Sequence, residues 1–201
     1  MFIKGDALEI LKQMKSNFVD CIITDPPYDH LEKHRAVGTT TRLKKDWFPT
    51  LSIEQMRPIF KEAYRVLKPH KHIYVFCNSL ALKDMLNMLS EFFHFNNVIV
   101  WDKGHLGLGY HYRNQVEFIL FFSKGKPEKL RRNPSNLIKI PSKESYRKPY
   151  KLYIYLLRCS TQKGDTVLDF FAGSCPLIPA SEILGLKPIC IDIRDPKDIN
   201  Y

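Results

Sequence analysis

The feature that most constrains the fold of this 201-residue chain is the alternation of short apolar runs with longer amphipathic segments. The apolar runs have the length of buried strands, and the segments between them have helical periodicity and capping residues. This alternation indicates an α/β fold with a mostly parallel sheet and helices on both faces. The predicted strands are residues 2–4, 19–24, 72–77, 98–101, 116–122, 166–169 and 189–193, and the predicted helices are residues 7–14, 53–67, 80–93, 150–159 and 176–184.

Three segments depart from this alternation. The stretch between Trp101 and Val116 lacks helical periodicity and contains three glycines, so we expect its flanking strands to form an antiparallel hairpin. Residues 29–50 and 124–148 show neither strand nor helix pattern, and loops of this length commonly contact ligands. A chain of this length supports one core. We therefore expect a single domain over residues 1–201, with a seven-stranded sheet, a mobile loop at 29–50 and a separate segment at 124–148.

The positive charge of the chain is concentrated in one place. The formal net charge is +10, and residues 124–151 contain ten Lys or Arg against two Glu, which accounts for +8 of it. A basic, proline-broken segment can be a solvated loop, but this concentration favours a surface that faces a nucleic-acid backbone. The predicted DNA-binding residues are Lys124, Lys126, Lys129, Arg131, Arg132, Lys139 and Lys143, together with Arg35, Arg42, Lys44 and Lys45 of the loop at 29–50.

Cysteine usage and hydropathy limit the class of protein further. The five cysteines are odd in number and form no CxxC pair, so reduced thiols are expected rather than disulfides. No apolar run is long enough to span a membrane and no signal-peptide pattern is present, which predicts a cytoplasmic protein. No metal site is predicted, because His30 and His34 have no third ligand beside them.

Asp25, Pro26, Pro27 and Tyr28 directly follow the apolar run at residues 19–24. An acid therefore lies just past the carboxyl end of a core strand, where open α/β sheets bind ligands. The two prolines fix φ and lack an N–H, so the corner is expected to be rigid and to present carbonyls without competing donors. Beside the tyrosine ring, such a corner suits an amino group on a planar ring, although a simple proline-rich turn has the same sequence.

A second constellation lies near the other end of the chain. Residues 166–175 (TVLDFFAGSC) read as a short strand, an aromatic pair and a glycine turn before a helix. Gly173 allows backbone N–H groups to approach a ligand closely. Asp192 follows about 20 residues later at the end of an apolar run, which is the spacing at which dinucleotide-binding folds place an acid on ribose hydroxyls.

These motifs resemble those of the amino-group DNA methyltransferases. The Asp25–Tyr28 corner resembles their catalytic motif, and residues 166–175 are similar to their DxFxGxG cofactor loop. The catalytic motif precedes the cofactor loop, which is the order of the group called beta. Further similar segments are Lys4-Gly5-Asp6, the pair of strands VWDK and VEFIL at 100–103 and 116–120, and Arg147-Lys148-Pro149. The resemblance covers nearly the whole chain.

The resemblance implies a Rossmann-like methyltransferase fold that uses S-adenosylmethionine to methylate the exocyclic N6 of adenine in DNA after base flipping. It implies that the amine donates hydrogen bonds to Asp25 and Pro26 while Tyr28 stacks on the base. The implied catalytic residues are Asp25, Pro26, Pro27 and Tyr28. The implied cofactor-binding residues are Asp6, Asp25, Lys148, Pro149, Asp169, Phe170, Phe171, Gly173, Ser174 and Asp192.

The sequence also departs from the family pattern and leaves alternatives open. Cys175 stands where the family has a second glycine, so we expect its side chain to crowd the cofactor. Methylation of cytosine N4 or of RNA adenine, and a catalytically silent DNA-binding subunit, are the alternative functions. The small basic segment predicts short DNA recognition sequences or a homodimer in which a second subunit contributes.

Overall fold

The computed structural model describes residues 1–28, 50–107, 111–142 and 148–198. The strands are β1 (Phe2–Lys4), β2 (Val19–Thr24), β3 (Leu67–Cys77), β4 (His94–Asp102), β5 (Val116–Ser123), β6 (Leu137–Lys139), β7 (Thr166–Asp169) and β8 (Lys187–Asp192). The helices are α1 (Ala7–Gln13), α2 (Ile53–Val66), α3 (Leu82–Ser90), α4 (Tyr150–Ser160) and α5 (Leu177–Leu184), followed by a 3-10 turn at Pro196–Asp198. No helix in these ranges is long and apolar enough to cross a membrane.

The described strands form one sheet in the order β1-β8-β7-β2-β3-β5-β4-β6. The first five run parallel, and β5 is antiparallel to both β3 and β4, which confirms the predicted hairpin. The sheet has eight strands rather than the expected seven, because β6 pairs in parallel with β4 inside the basic segment. The three-residue β6 has a single buried side chain, Ile138, and is too short for a periodic pattern to reveal it.

Helices cover both faces of the sheet, as predicted. Successive side chains of a strand point to opposite faces. On one face, Ile22 of β2 and Ile73 of β3 belong to a buried cluster with side chains of α1, α2 and α3. On the other face, Cys21 and Tyr74 of the same two strands are buried with side chains of α4 and α5. Burial on both faces explains why these parallel strands are continuous apolar runs.

Strand direction defines two edges of the sheet. At the carboxyl edge, four of the parallel strands, β2, β3, β7 and β8, end at Thr24, Cys77, Asp169 and Asp192. At the amino edge these strands begin, and β5, which runs the opposite way, ends there with Ser123 paired to His72. Open parallel sheets bind ligands outside the carboxyl ends of their strands. The topology therefore locates the candidate site at the carboxyl edge.

Helix α2 also anchors the corner that follows β2. The predicted capping box is present: Gln55 donates its N–H to Ser52 Oγ at 3.3 Å, and Ser52 donates its N–H to Gln55 Oε1 at 2.9 Å. The preceding residue, Leu51, donates its N–H to Pro27 O at 2.6 Å and forms a parallel bridge with Tyr28. The start of α2 is thereby joined to the Asp25–Tyr28 corner.

Candidate active site

Asp25, Pro26, Pro27 and Tyr28 form a tight corner at the carboxyl edge, directly after Thr24, the last residue of β2. Tyr28 is buried and donates its N–H to Pro26 O at 3.0 Å. The expectation of carbonyls without competing donors is wrong, since the Pro26 and Pro27 oxygens each accept one backbone hydrogen bond. A carbonyl oxygen has two lone pairs, so each retains the capacity to accept a second donor.

Asp25 belongs to a chain of four ion-paired side chains, Asp25, Lys148, Glu117 and Lys103. Lys148 Nζ lies 2.7 Å from Asp25 Oδ2 and 3.2 Å from Glu117 Oε2. Lys103 Nζ lies 3.3 Å from Glu117 Oε1. The Lys148 ammonium also lies 5.4 Å from the centroid of the Phe76 ring. We call these four residues the ion-pair chain.

Burial and pairing shift the ionisation of this chain in different directions. Burial raises the pKa of Asp25, and the nearby Lys148 offsets that rise only in part. Burial would also raise the pKa of Glu117, but Lys148 and Lys103 outweigh it and the net pKa is lowered. Burial lowers the pKa of Lys148, yet Asp25 and Glu117 together bring it above its ordinary value. Lys148 is therefore a permanent cation between two carboxylates.

Asp169 and Asp192 end the neighbouring strands β7 and β8. Asp169 is fully buried and accepts hydrogen bonds from Phe171 N–H at 3.2 Å and Tyr153 Oη–H at 3.4 Å. Burial raises the pKa of Asp169 to about 7. Asp192 Oδ2 accepts the N–H of Gly173 at 2.8 Å, so the glycine turn donates to this acid in the structure. The two motifs that sequence spacing linked are thus in direct contact.

The two aromatic residues of this loop, Phe170 and Phe171, have different environments. Phe170 is fully buried and packs edge-to-face on Phe60 of α2, with 5.4 Å between ring centroids. Phe171 is half-buried beside it. The position of Phe170 differs from the expected cofactor contact, because its ring fills the core beneath α2. Phe171 is the ring of the pair that reaches the surface of the carboxyl edge.

Cys175 also lies where its side chain serves the core. It is buried in the cluster shared with α4 and α5, beside Cys190. Its φ is +56°, a left-handed conformation that favours glycine. This conformation accounts physically for the glycine of the family motif. The sequence predicts that the Cys175 side chain crowds the cofactor, whereas in the structure this side chain lies in the core.

The remaining predicted cofactor residues lie in loops at the same edge. Asp6 follows β1, is exposed, and caps α1 by accepting the Glu9 N–H at 3.1 Å. Pro149 is the N-cap residue of α4, directly after Lys148. Ser174 is half-buried in the turn before α5. The structure thus brings the predicted cofactor residues to one edge of the sheet, where Asp169 and Phe170 are fully buried and the Phe170 ring packs in the core.

The predicted DNA-binding residues are divided between the two edges. Lys139 ends β6 at the carboxyl edge, opposite Asp102. Residues 124–132 lie at the amino edge, where Glu128 N–H donates to His70 O at 3.0 Å and Arg131 N–H donates to Cys159 O at 2.9 Å. The sequence predicts that these residues form a DNA-binding surface beside the site, whereas they lie at the opposite edge of the sheet. Arg35, Arg42, Lys44, Lys45 and Lys143 lie outside the described residues.

Lys124 has a structural environment at this amino edge. Its ammonium donates to Asn17 Oδ1 at 2.8 Å, to Arg65 O at 3.2 Å and to Leu67 O at 2.8 Å. It also lies 4.7 Å from the centroid of the Tyr64 ring. Lys124 therefore caps the carbonyl end of α2, where a cation is favourable, instead of projecting toward a ligand.

Sequence reasoning did not identify three residues of the site: Lys103, Glu117 and Tyr153. Lys103 and Glu117 fall within segments that the family resemblance covers, but the sequence pattern assigns them only to a pair of strands. The available signal was a charged residue at the end of an otherwise apolar strand, as in VEFILFF. No group of three or more His, Cys, Asp or Glu in the described residues could hold a metal ion.

Known proteins are similar to this chain over most of its length. A family model described as DNA methylase matches residues 19–147 and 129–196. The type II methyltransferase M.HpaI of Haemophilus parainfluenzae is 29% identical over 223 residues, which cover 94% of this chain and 69% of that protein. The DNA adenine methyltransferase YhdJ of Escherichia coli (strain K12) is 27% identical over 235 residues, covering 96% of this chain and 78% of the relative.

Solved structures share the fold. The cytosine-N4-specific PvuII DNA methyltransferase superposes with a TM-score of 0.76 at 18% identity, covering 96% of this chain and 81% of that one. The complex of M1.HpyAVI with SAM gives a TM-score of 0.70 at 22% identity, covering 100% and 99% of the two chains. With the family match extending over most of the sequence, the chain belongs to the N6/N4 family of DNA methylases.

Proposed function

We propose that this enzyme transfers a methyl group from S-adenosylmethionine to the exocyclic N6 of adenine in DNA. The observation that carries the proposal is the position of Asp25, an ionisable acceptor in a proline-fixed corner at the carboxyl end of a central strand. An exocyclic amine is a weak nucleophile because its lone pair is delocalised into the ring. Fixed acceptors that bind its hydrogens localise that lone pair on nitrogen.

The groups at the carboxyl edge fit S-adenosylmethionine chemically. Asp192 and Asp6 offer carboxylates for ribose hydroxyls and the adenine amine, and Phe171 offers a half-buried aromatic ring. Lys148 offers an ammonium for the methionine carboxylate, and Asp169 offers a buried acceptor for its ammonium group. When bound, this cofactor supplies a methyl group on a sulfonium. The chain itself binds and orients the two reacting partners.

Asp25 and Pro26 would hold the target amine. Asp25 lies against Lys148, which favours its charged form and opposes the rise in pKa that burial causes, and the carboxylate can accept a hydrogen bond from the amine. Pro26 O accepts one backbone N–H and retains one lone pair for the second amine hydrogen. Tyr28 keeps a neutral phenol, because burial raises its pKa, and provides the aromatic surface of the corner.

Duplex DNA hides N6, so the base must leave the stack to reach this corner. The DNA backbone would then lie along the carboxyl edge, where Lys139 is exposed at the end of β6. We assign the backbone contacts to this lysine and to Arg35, Arg42, Lys44, Lys45 and Lys143. The basic residues of the amino edge lie at the opposite end of the strands from the corner. A strand of six residues separates the two ends by roughly 20 Å.

Adenine is favoured over cytosine by the acid at the first position of the corner. Cytosine-N4 enzymes of this type more often have serine there, and one relative, YhdJ, is named as a DNA adenine methyltransferase. Methylation of cytosine N4 is the second candidate, supported by the fold similarity to the PvuII enzyme. Both candidates use the same corner and the same cofactor groups.

The experiment is transfer of a labelled methyl group to unmethylated DNA, followed by digestion to nucleosides and identification of the labelled base. We expect label in N6-methyladenine with the wild type and a loss of about 10²- to 10³-fold with Asp25→Ala. Label in N4-methylcytosine would establish the second candidate. Equal incorporation by the two proteins, with circular dichroism showing both folded, would remove Asp25 from the mechanism.

A further inference from the structure

Lys148 is shared by two carboxylates. Its ammonium lies 2.7 Å from Asp25 Oδ2 and 3.2 Å from Glu117 Oε2, and all three side chains are no more than 30% exposed. Glu117 is held in turn by Lys103, which lies 3.3 Å from its other oxygen. Lys148 can therefore move its main contact from one carboxylate to the other with a small rotation of its side chain.

The contact with Asp25 conflicts with the role proposed for that residue. A target amine that donates to Asp25 must share the carboxylate with a donor already bound to it. The amine also gains positive charge as it accepts the methyl group, and an ammonium held against Asp25 would repel that charge. A partly buried, low-dielectric site strengthens both effects. The reaction therefore requires the Lys148 ammonium to leave Asp25, and its three N–H donors allow it to bind the methionine carboxylate and a second protein carboxylate together.

We propose that Glu117 is a positioning residue that receives Lys148 when Asp25 binds the target amine, an inference that rests on the function proposed above. Glu117 is suited to this role because it is ionised and already in contact with the ammonium. Lys103 keeps Glu117 in place during the exchange. When Lys148 shifts, Glu117 pairs with two ammonium groups, and Asp25 loses its cation as the target amine begins to donate to it.

The first test measures single-turnover methyl transfer by Glu117→Gln, which removes the receiving charge and retains a similar shape. We expect the transfer rate to fall about 10- to 100-fold, while the dissociation constants for DNA and cofactor change less than about threefold. In a Lys148→Met background, Glu117→Gln should have little further effect, because Glu117 acts through Lys148. Equal losses in both backgrounds would overturn the proposal.

The second test does not depend on activity. Glu117 raises the pKa of Asp25 in the free protein, so Glu117→Gln should lower the Asp25 pKa, measured by carbon-detected NMR titration. Glu117→Asp keeps the charge and should return the Asp25 pKa toward the wild-type value, which also covers the case in which the Gln variant does not fold. An Asp25 pKa unchanged in Glu117→Gln would overturn the exchange.

Glu128 supplies a matched control. It forms an ion pair with Lys71 at 2.6 Å at the amino edge of the sheet, in which Lys71 is half-buried and Glu128 is exposed. Glu128→Gln should change neither the transfer rate nor the Asp25 pKa. If the wild type transfers no methyl to any base, the proposed function fails, and the NMR titration still decides whether Glu117 controls the contact between Lys148 and Asp25.

Discussion

The carboxyl edge of the sheet and its amino edge both carry many charged side chains, but they use them differently. At the carboxyl edge the charges pair with each other at strand ends, as Lys148 does with Asp25. The amino edge also has ion pairs, such as Lys71 with Glu128, but two of its cations bind backbone carbonyls at helix ends. Lys124 binds the end of α2, and Arg65 donates to Leu11 O at 2.7 Å and to Met14 O at 2.8 Å beside the end of α1. A dense cluster of charge therefore does not by itself locate a functional site.

The sharpest test of this difference uses two acids on the same strand. Asp20 lies at the amino end of β2, 2.6 Å from Lys68 Nζ, and accepts Thr166 N–H at 3.0 Å. Asp25 follows the carboxyl end. We expect Asp25→Asn to lower single-turnover methyl transfer by about 10³-fold with little loss of stability. We expect Asp20→Asn to keep the transfer rate and to lower the free energy of unfolding by about 1–2 kcal/mol.

Urea unfolding and single-turnover kinetics on both variants provide the measurements. The comparison would break if Asp20→Asn lost activity without losing stability, or if Asp25→Asn unfolded while the remaining folded fraction stayed active. Asn preserves the shape of both side chains, so a difference between the variants reports the charge at each end of one strand.

The second prediction concerns the pH dependence of stability from Asp169. Burial raises its folded pKa to about 7, so the folded state keeps a proton that the unfolded state has released. The stabilising contribution is complete below the unfolded pKa and is lost as the pH rises toward 7. A difference of roughly three units corresponds to about 4 kcal/mol.

Asp169→Asn carries no charge, so it should be more stable than the wild type at pH 8 by up to about 4 kcal/mol, with the difference shrinking toward pH 4. Urea unfolding at several pH values between 4 and 8 measures this. A constant difference across that range would show that Asp169 does not titrate differently in the folded state. The same variant should bind cofactor more weakly, since a buried charge kept at a stability cost is typical of a functional site.

The third prediction separates two lysines of the basic segment. Lys124→Met retains the apolar stem but leaves the carbonyls of Arg65 and Leu67 without this donor. We expect it to lower the free energy of unfolding by about 1–3 kcal/mol and to leave DNA affinity unchanged. Lys139→Met should leave stability unchanged and weaken DNA binding, reducing the slope of log affinity against log salt by about one.

DNA binding measured at three or more salt concentrations distinguishes the two lysines, with Lys126→Met as an exposed control beside Lys124. An equal loss of DNA affinity in Lys124→Met and Lys139→Met would show that both edges contact DNA. That result would restore the basic segment as one continuous recognition surface.

The elements with long, regular patterns were predictable from sequence. The buried strand β2, the capping box of α2 and the hairpin of β4 and β5 were predicted because burial, capping and turn chemistry are local. Strand β6 was not predictable, because three residues are too few to show a periodic hydrophobic pattern. Its pairing with β4 depends on a neighbouring edge that only the folded sheet provides.

The sequence predicted which residue types form the site and at which strand ends they lie, but not which side chains contact each other. Sequence order indicated that Asp25 and Asp192 end parallel strands, and the sheet places them at one edge. It gave no sign that Lys148 would bridge Asp25 and Glu117, because such pairing depends on segments about 30 and 120 residues away meeting in three dimensions. Net charge along the sequence likewise could not show that Lys124 faces a helix end.

The prediction with the smallest expected effect concerns Cys175 and asks whether this residue of the carboxyl edge contributes to cofactor binding or only to the core. Cys175 is in a left-handed conformation and its side chain is buried in the core. Cys175→Ala loses the packing of the sulfur and keeps the backbone strain, so it should be destabilised by about 1 kcal/mol. Cys175→Gly also loses the β-carbon but relieves the strain, so it should be more stable than Cys175→Ala by about 1 kcal/mol.

Glycine is ordinarily the less stabilising of these two substitutions, so the reversed order is diagnostic of the strained φ. Cofactor affinity, measured by calorimetry on the same variants, should change by less than about twofold, because the side chain faces Cys190 rather than the site. A clear gain of affinity in Cys175→Gly alone would instead place the thiol against the cofactor. Cys175 would then belong to the cofactor site rather than to the core, and an uncharged side chain at the carboxyl edge would help to position the methyl donor.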